Sequence, residues 1–277
     1  KTKSNTSKIE EVTVNGDHEV TIKLTEPYAA FKTIVTQHNL SILSEKAVTE
    51  AGDSYGDVDN LLGSGPFKVT EWVPNDHYTL VRNDNYWGEM PIATSITCRV
   101  IPEGSARTIA LEAGEIDVVW SVDPTDCANV ESNPDVKLLS QPSTGIDYVG
   151  MNTQKEKFSD KRVRQAINYA LDKQDFVDTI IEGRGLVANS YINAAIPGWT
   201  DEVEAYPYDP EKAKELLAEA GYPDGFECSI FVNGDLRTRS AQILQAQLAD
   251  VGIKVDISTY EWGALLDTLN AGEHEMF

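Results

Sequence analysis

The chain has 277 residues, of which 45 are acidic and 23 are basic, so its formal charge is −22 at pH 7. A surface this acidic repels nucleic-acid phosphates and anionic lipid, which excludes nucleic acid as a main partner. Hydrophobic residues make up 41% of the chain and charged residues 25%, the proportions of an ordinary globular protein. No run approaches the ~20 apolar residues that a membrane-spanning helix needs.

The first part of the chain is predicted to be rich in β-structure. Residues 9–24 alternate apolar and polar side chains around Asn15-Gly16-Asp17, a pattern typical of a β-hairpin. Short helices are expected after Pro27 and over residues 44–50. The run from Pro66 to Arg82 then predicts two strands joined by a tight turn.

A strand–helix–strand unit is predicted next. Residues 94–101 form the first strand, residues 105–113 the helix and residues 116–120 a short second strand, with Gly114 ending the helix. This order is the βαβ pattern of a mixed or parallel sheet.

Longer amphipathic helices characterise the second half of the chain. Ser159-Asp160 is a cap signal for a helix with apolar residues at intervals of three and four, and a second helix is expected from Asp209 to Gly221. A second βαβ unit follows, with a strand, a helix and a strand over residues 226–232, 237–251 and 253–260. We therefore predict two α/β lobes, residues 1–144 and residues 145–277, joined near residues 140–148.

Motifs of enzyme chemistry are sparse in this sequence. The glycine-rich run Gly63 to Lys68 lacks the Gly-Lys-Ser/Thr ending that holds phosphate and Mg²⁺. The four histidines are dispersed without metal-ligand spacing, and three cysteines are too few for a disulfide framework. With 45 carboxylates, acidic pairs arise by chance. The sequence predicts no catalytic site, no metal site and no cofactor.

The sequence begins without a recognisable leader and ends inside a predicted strand. It begins at Lys1 without an initiator methionine or an apolar signal region, and it ends at Phe277 within what looks like a strand. These ends indicate an internal piece of a longer protein.

Four runs of the sequence stand in an order typical of one protein family. The most specific is the run from Tyr148-Val149-Gly150-Met151-Asn152 through Arg162-Val163-Arg164-Gln165-Ala166 to Asp172. The other three are residues 20–31, residues 63–72 followed by 82–87, and residues 208–222. On these runs, which extend over nearly the whole chain, it resembles the extracytoplasmic solute-binding proteins of ABC importers in the oligopeptide, dipeptide and nickel group, solute-binding family 5.

This resemblance implies a fold and a function. The fold is the α/β, two-lobed periplasmic-binding-protein type (type II, cluster C), with mixed sheets flanked by helices. The implied function is capture of oligopeptides or dipeptides between the lobes, and delivery to ABC permease subunits, by a monomeric extracytoplasmic protein that carries a secretory or lipoprotein signal and is not an enzyme. The alternatives are a nickel chelate, haem or sugar as ligand, or an extracytoplasmic enzyme or sensor on the same scaffold.

Five residues are candidates for ligand binding. In the family, the strand that leads out of the interlobe crossover lines the cleft, which implies that Tyr148, Gly150 and Asn152 face the ligand and that Gly150 leaves room for ligand backbone. Asn233 and Arg237 follow a predicted strand near a helix N-terminus, where sheet ends form crevices and anions are attracted. By resemblance, Arg237 neutralises a peptide carboxylate; a solvated surface arginine is the alternative.

Other recognisable residues have simpler interpretations. Arg162 and Arg164 are expected to pair with neighbouring acids on the helix surface rather than with a ligand. Trp72 and Trp87, at strand ends, are expected in the core.

Overall fold

The computed structural model describes residues 6–141 and 143–277, so Pro142, in the predicted junction between lobes, lies outside the described residues. Contacts divide the chain into two units, Lys1–Ile101 and Pro102–Phe277. The predicted lobe boundary lies later, between residues 144 and 145, and the assignment of residues 102–144 to the first lobe stays a prediction.

The first unit begins with the predicted hairpin. Strands β1 (Ile9–Gly16) and β2 (Glu19–Leu24) pair antiparallel, and Gly16 pairs with Glu19. The turn is therefore made by residues 17 and 18, slightly beyond the Asn-Gly signal. Helices α1 (Phe31–Ile34) and α2 (Glu45–Ala51) lie where short helices were predicted. The Ser44 hydroxyl caps α2 by accepting a hydrogen bond from the Ala47 N–H.

A three-stranded antiparallel sheet completes the first unit. Its strands β3 (Phe67–Val73), β4 (His77–Arg82) and β5 (Ser95–Arg99) stand in the order β3-β4-β5. The expectation that Trp72 and Trp87 are core residues is wrong, because their side chains are 59% and 81% exposed. Alternation identifies a strand but does not say which of its faces is covered.

The second predicted strand of the first βαβ unit is absent. Helix α3 (Gly104–Glu112) forms and Gly114, with a φ of +71°, follows its end, as predicted. Within the described part of the chain, residues 116–120 belong to no strand, and the Val118 and Trp120 side chains there are 78% and 90% exposed. Strand β5 pairs with β4 instead, which leaves residues 116–120 without the backbone partner that a strand requires.

Helices dominate the second unit. They are α4 (Cys127–Ser132), α5 (Glu156–Ser159), α6 (Lys161–Ala170), α7 (Lys173–Ile180) and α8 (Pro210–Glu219). The Asp160 carboxylate caps α6 by accepting the Arg162 N–H at 2.8 Å, and its ion pair with the Arg162 guanidinium confirms the surface pairing expected there. The pairing predicted for Arg164 is wrong, because its guanidinium donates to the carbonyls of Phe158 and Ser159 at 2.7 and 2.9 Å. The apolar face of α6 is buried as its periodicity predicts.

The second unit contains a mixed sheet. Strands β6 (Phe226–Val232) and β7 (Ile253–Thr259) are parallel and are joined by helix α9 (Asp235–Ala249), which confirms the second βαβ unit; helix α10 (Trp262–Asn270) follows. Met276 extends this sheet, because it bridges to Ile230 in parallel and to Met151 in the antiparallel sense. The order across the sheet is thus residues 150–152, residues 275–277, β6 and β7.

Helices α6, α8 and α9 contribute apolar side chains to one core with this sheet. Its fully buried large side chains include Phe158, Ile167, Leu217, Leu248 and Ile253. Among the described residues, every buried hydrophobic side chain lies at or after Ala110, so the core belongs to the second unit. None of the helices described is long and apolar enough to cross a membrane.

Glu275 ties the added strand to its surroundings. Its carboxylate accepts hydrogen bonds from Lys157 Nζ at 2.9 Å, from the Ser229 N–H at 2.9 Å and from the Ser229 hydroxyl at 3.1 Å. Burial acts to raise the pKa of Glu275, but these donors together with the Lys157 charge outweigh it and lower the pKa below its ordinary value.

Glu275→Gln should therefore destabilise the protein at neutral pH and not in acid. A lowered folded-state pKa adds stability that is complete above the ordinary pKa of 4.5 and is lost as the pH falls through the folded value. We expect a loss of about 1–2 kcal/mol at pH 7 in urea unfolding of the full-length protein. Glu227→Gln is the control, since Glu227 and Lys254 are 79% and 77% exposed and such pairs contribute little. An equal loss of unfolding free energy in the two variants would contradict the expectation, and so would a loss in Glu275→Gln that does not depend on pH.

Candidate functional site

The carboxyl ends of parallel strands meet along one edge of the sheet in the second unit. Strands β6 and β7 end there, the segment 275–277 runs in the same direction, and the antiparallel segment 148–152 begins there with Tyr148. In open α/β sheets, ligands bind in crevices outside this edge. The edge therefore brings together the two separate groups of predicted residues, one around Tyr148 and one after Val232.

The segment 148–152 has one face on the core and one face away from it. Val149 and Met151 pack against the core cluster of the second unit. Because side chains alternate along an extended segment, Tyr148, Gly150 and Asn152 lie on the opposite face. This is the arrangement that a ligand-facing role requires, and the role itself stays a prediction.

Tyr148 is 52% exposed and belongs to a row of aromatic rings. Its ring packs edge-on against Tyr191 at a centroid distance of 5.4 Å and against Phe277 at 5.8 Å, and His274 packs against Phe277 at 5.3 Å. Partial burial, and after it the neighbouring Tyr191, raises the pKa of Tyr148. The hydroxyl thus stays protonated at neutral pH and can donate a hydrogen bond.

Gly150 is fully engaged with Phe277. Its N–H donates to the Phe277 carbonyl at 2.8 Å, and its own carbonyl accepts the Phe277 N–H at 3.0 Å. A Cβ at this position would lie 2.2 Å from the Phe277 ring. The space that the missing side chain provides is occupied by this ring, whereas the sequence predicted that ligand backbone would use it.

Asn152 holds the end of the sheet in place. Its side-chain amide donates to the carbonyls of Gly272 at 3.2 Å and His274 at 3.0 Å, and its Oδ1 accepts the Gln154 N–H at 3.0 Å. Both amide protons are thus used within the chain, and the side chain fixes the turn that precedes residues 275–277.

Asn233 and Arg237 lie beside one another at the end of β6. Gly234, with a φ of +73°, turns the chain between them, and Arg237 follows in the first turn of α9. The exposed Arg237 guanidinium donates to Asn233 Oδ1 at 3.3 Å. In the part of the chain that the structure describes, no carboxylate pairs with Arg237, whereas Arg184 and Arg239 form ion pairs.

The sequence did not predict the parts played by Tyr191 and Phe277. Tyr191 lies in residues 181–209, which contain no regular helix or strand, and Phe277 reaches the site only through long-range pairing. A long segment rich in aromatic residues and without a helical or strand pattern was the available signal. As for metals, no group of three or more His, Cys, Asp or Glu side chains among the described residues could hold an ion.

Comparison with known proteins gives one family over the whole chain. The family model for bacterial extracellular solute-binding proteins, family 5 Middle, matches residues 1–277. The chain is 33% identical over 277 residues to the dipeptide-binding protein of Escherichia coli, covering 96% of this chain and 52% of that protein. It is 32% identical over 267 residues to heme-binding protein A of Haemophilus influenzae, covering 93% and 49%.

Solved structures show the same likeness. The periplasmic binding protein DppA of Helicobacter pylori, in complex with the peptide STSA, superposes with a TM-score of 0.87 at 32% identity, over 97% of this chain and 53% of that one. The oligopeptide-binding protein AppA of Bacillus subtilis, in complex with a nonapeptide, gives a TM-score of 0.85 at 27% identity, over 99% and 58%.

These likenesses confirm the predicted fold class, the α/β fold of two-lobed periplasmic binding proteins. The chain spans about half the length of the curated relatives that it matches. With a family model that matches from the first residue to the last, the chain belongs to the bacterial extracellular solute-binding proteins of family 5.

Proposed function

We propose that the full-length protein is the substrate-binding component of an ABC importer, which captures oligopeptides or dipeptides between two lobes and delivers them to permease subunits. The observation that carries the proposal is the Arg237 guanidinium, which is exposed at the carboxyl edge of the sheet and has no carboxylate partner among the described residues. In a chain of charge −22, a guanidinium that forms no ion pair among the described residues suits a ligand that brings its own carboxylate.

The segment 148–152 offers a second contact of the right chemistry. The N–H and carbonyl of Gly150 and the N–H of Asn152 bond to residues 275–277. Those of Val149 and Met151 point to the other side, and within the described chain they bond to no other backbone group. The peptide residue that reaches this segment can form main-chain hydrogen bonds with these groups whatever its side chain is, which suits a receptor for many peptides.

Relatives support peptide as the ligand class. One curated relative is a dipeptide-binding protein, and two of the solved structures hold a tetrapeptide, STSA, and a nonapeptide. On this proposal the protein acts outside the cytoplasm, as a monomer and by binding rather than by catalysis. Hinge closure of two lobes around the ligand would be its working motion.

Haem is the second candidate ligand. The relative from Haemophilus influenzae is a heme-binding protein, and its 32% identity is close to the 33% of the dipeptide-binding relative. The carboxylates of a haem could meet Arg237 as a peptide carboxylate would, while its ring would need an aromatic surface such as that of Tyr148 and Tyr191.

Native mass spectrometry of the full-length protein as purified distinguishes the two. We expect a ladder of added masses from mixed short peptides, and calorimetric binding of di- to nonapeptides after the bound material is removed. A single added mass of haem with its visible absorption band, together with no heat from any peptide, would replace the proposal by the haem alternative.

A further inference from the structure

The segment between α7 and α8 carries an unusual set of exposed apolar side chains. Residues 181–209 form no regular helix or strand, and loops of this length inside a domain commonly have a function. Within the segment Leu186 is 93% exposed and Tyr191 is 75% exposed. Large side chains left in water at this density indicate a contact surface.

The segment is nevertheless held in place at several points. The Asn193 side-chain amide donates to the Gly145 carbonyl at 3.1 Å, and the Trp199 indole N–H donates to Asn189 Oδ1 at 3.2 Å. Near its end Tyr206 packs edge-on against Tyr169 of α6. Its side chains therefore have defined positions, which a selective contact requires.

Tyr191 ends the row of rings at the carboxyl edge of the sheet. From Phe277 to Tyr148 to Tyr191 the rings meet at interplanar angles of 79° and 70°, and the last two are 52% and 75% exposed. Tyrosine supplies a large, stiff contact area at a low cost in conformational entropy. An edge-to-face row with two exposed rings presents a surface against which another ring or an aliphatic chain packs well.

We propose that Tyr191, with Tyr148, forms the wall that selects an apolar or aromatic side chain of the bound peptide. This inference rests on the proposed peptide-binding function. Tyr148 lies two strands away from β6 in the sheet, a separation of about 10 Å that about three residues of extended peptide cover. A tetrapeptide whose carboxylate lies at Arg237 therefore presents its first side chain to the two rings.

The test is a phenylalanine scan of tetraalanine, with calorimetric affinities measured on the full-length protein. In the unaltered protein, phenylalanine at one position, expected to be the first, should improve affinity over tetraalanine by about fivefold or more. Tyr191→Ala should abolish that preference, so that the ratio of the two affinities falls to about one. Tyr191→Phe, which keeps the ring, should preserve the preference.

Tyr208→Ala is the matched control, because Tyr208 lies on the same segment, is 48% exposed and stands outside the row of rings. It should leave the whole scan unchanged, and circular dichroism of each variant shows that it is folded. A Tyr191→Ala variant that shows the same phenylalanine preference as the unaltered protein overturns the inference and leaves the proposed function standing. If no peptide binds to the unaltered protein, the proposed function fails and this inference fails with it.

Discussion

Arg237→Gln should weaken the binding of peptides to the full-length protein by about 10- to 100-fold. The guanidinium meets no carboxylate of the described chain, so a ligand carboxylate would be its charged partner. Hydrogen bonds to charged groups contribute about 1.5–3 kcal/mol, which corresponds to that range of affinity. Glutamine keeps a donor and most of the length of the side chain and removes the charge.

Amidated peptides separate this effect from a general disturbance of the site. Unaltered protein should bind a C-terminally amidated tetrapeptide more weakly than the free acid, and the Arg237→Gln variant should bind the two about equally. Arg162→Gln is the control, because Arg162 pairs with Asp160 on the surface of α6. We expect its affinities to be unchanged. Equal affinity of the unaltered protein for acid and amide would show that Arg237 is only a solvated surface residue.

Gly225→Ala should destabilise the second unit by about 2–5 kcal/mol. Gly225 has a φ of +77°, and a Cβ there would lie 1.9 Å from the Gly252 carbonyl oxygen. The left-handed backbone costs an alanine about 1–2 kcal/mol. The overlap is with backbone, which cannot move aside by rotating, so the turn before β6 and the turn before β7 must separate, at a cost of about 1–3 kcal/mol more.

Gly221→Ala separates the cost of the left-handed backbone from the cost of the steric overlap. Gly221 also has a positive φ, +94°, but a Cβ there would meet no atom within 4 Å. Its substitution should therefore cost only the free energy of the left-handed backbone, about 1–2 kcal/mol. Urea unfolding followed by a probe in the second unit measures both variants. Equal losses would mean that the close approach of Gly225 to Gly252 has no energetic consequence.

Local signals account for the parts of the fold that the sequence predicted well. The Asp160 cap and the periodicity of α6 act within a few residues of each other, and in the β6-α9-β7 unit each element follows the one before it after a short turn. In such segments the local sequence pattern favours the same conformation as the packing of the folded protein, so the pattern predicts the structure. The prediction that the segment from Tyr148 faces a ligand rests on the resemblance to a family rather than on the pattern of its residues.

The failures have a common physical cause, which is dependence on a distant partner. Residues 116–120 are mostly β-branched and aromatic, as in a strand, but composition cannot supply the neighbouring backbone that a strand pairs with. The burial of Trp72 and Trp87 depends on what covers the sheet, which the local sequence does not encode. Phe277 over Gly150 is likewise a contact between residues far apart in the chain.

The position of residues 275–277 within the sheet has a consequence for biogenesis. This segment lies between residues 150–152 and β6, although both of these precede it in the chain. Residues 150–152 and β6 are synthesised first, so they have no shared backbone partner until residues 275–277 are made and insert between them. At about 5–20 residues per second, the ribosome needs roughly 2–9 seconds to extend the chain from Val232 to Glu275. During that interval the edges of both segments that later pair with residues 275–277 lack this backbone partner, which leaves them open to chaperones and to aggregation.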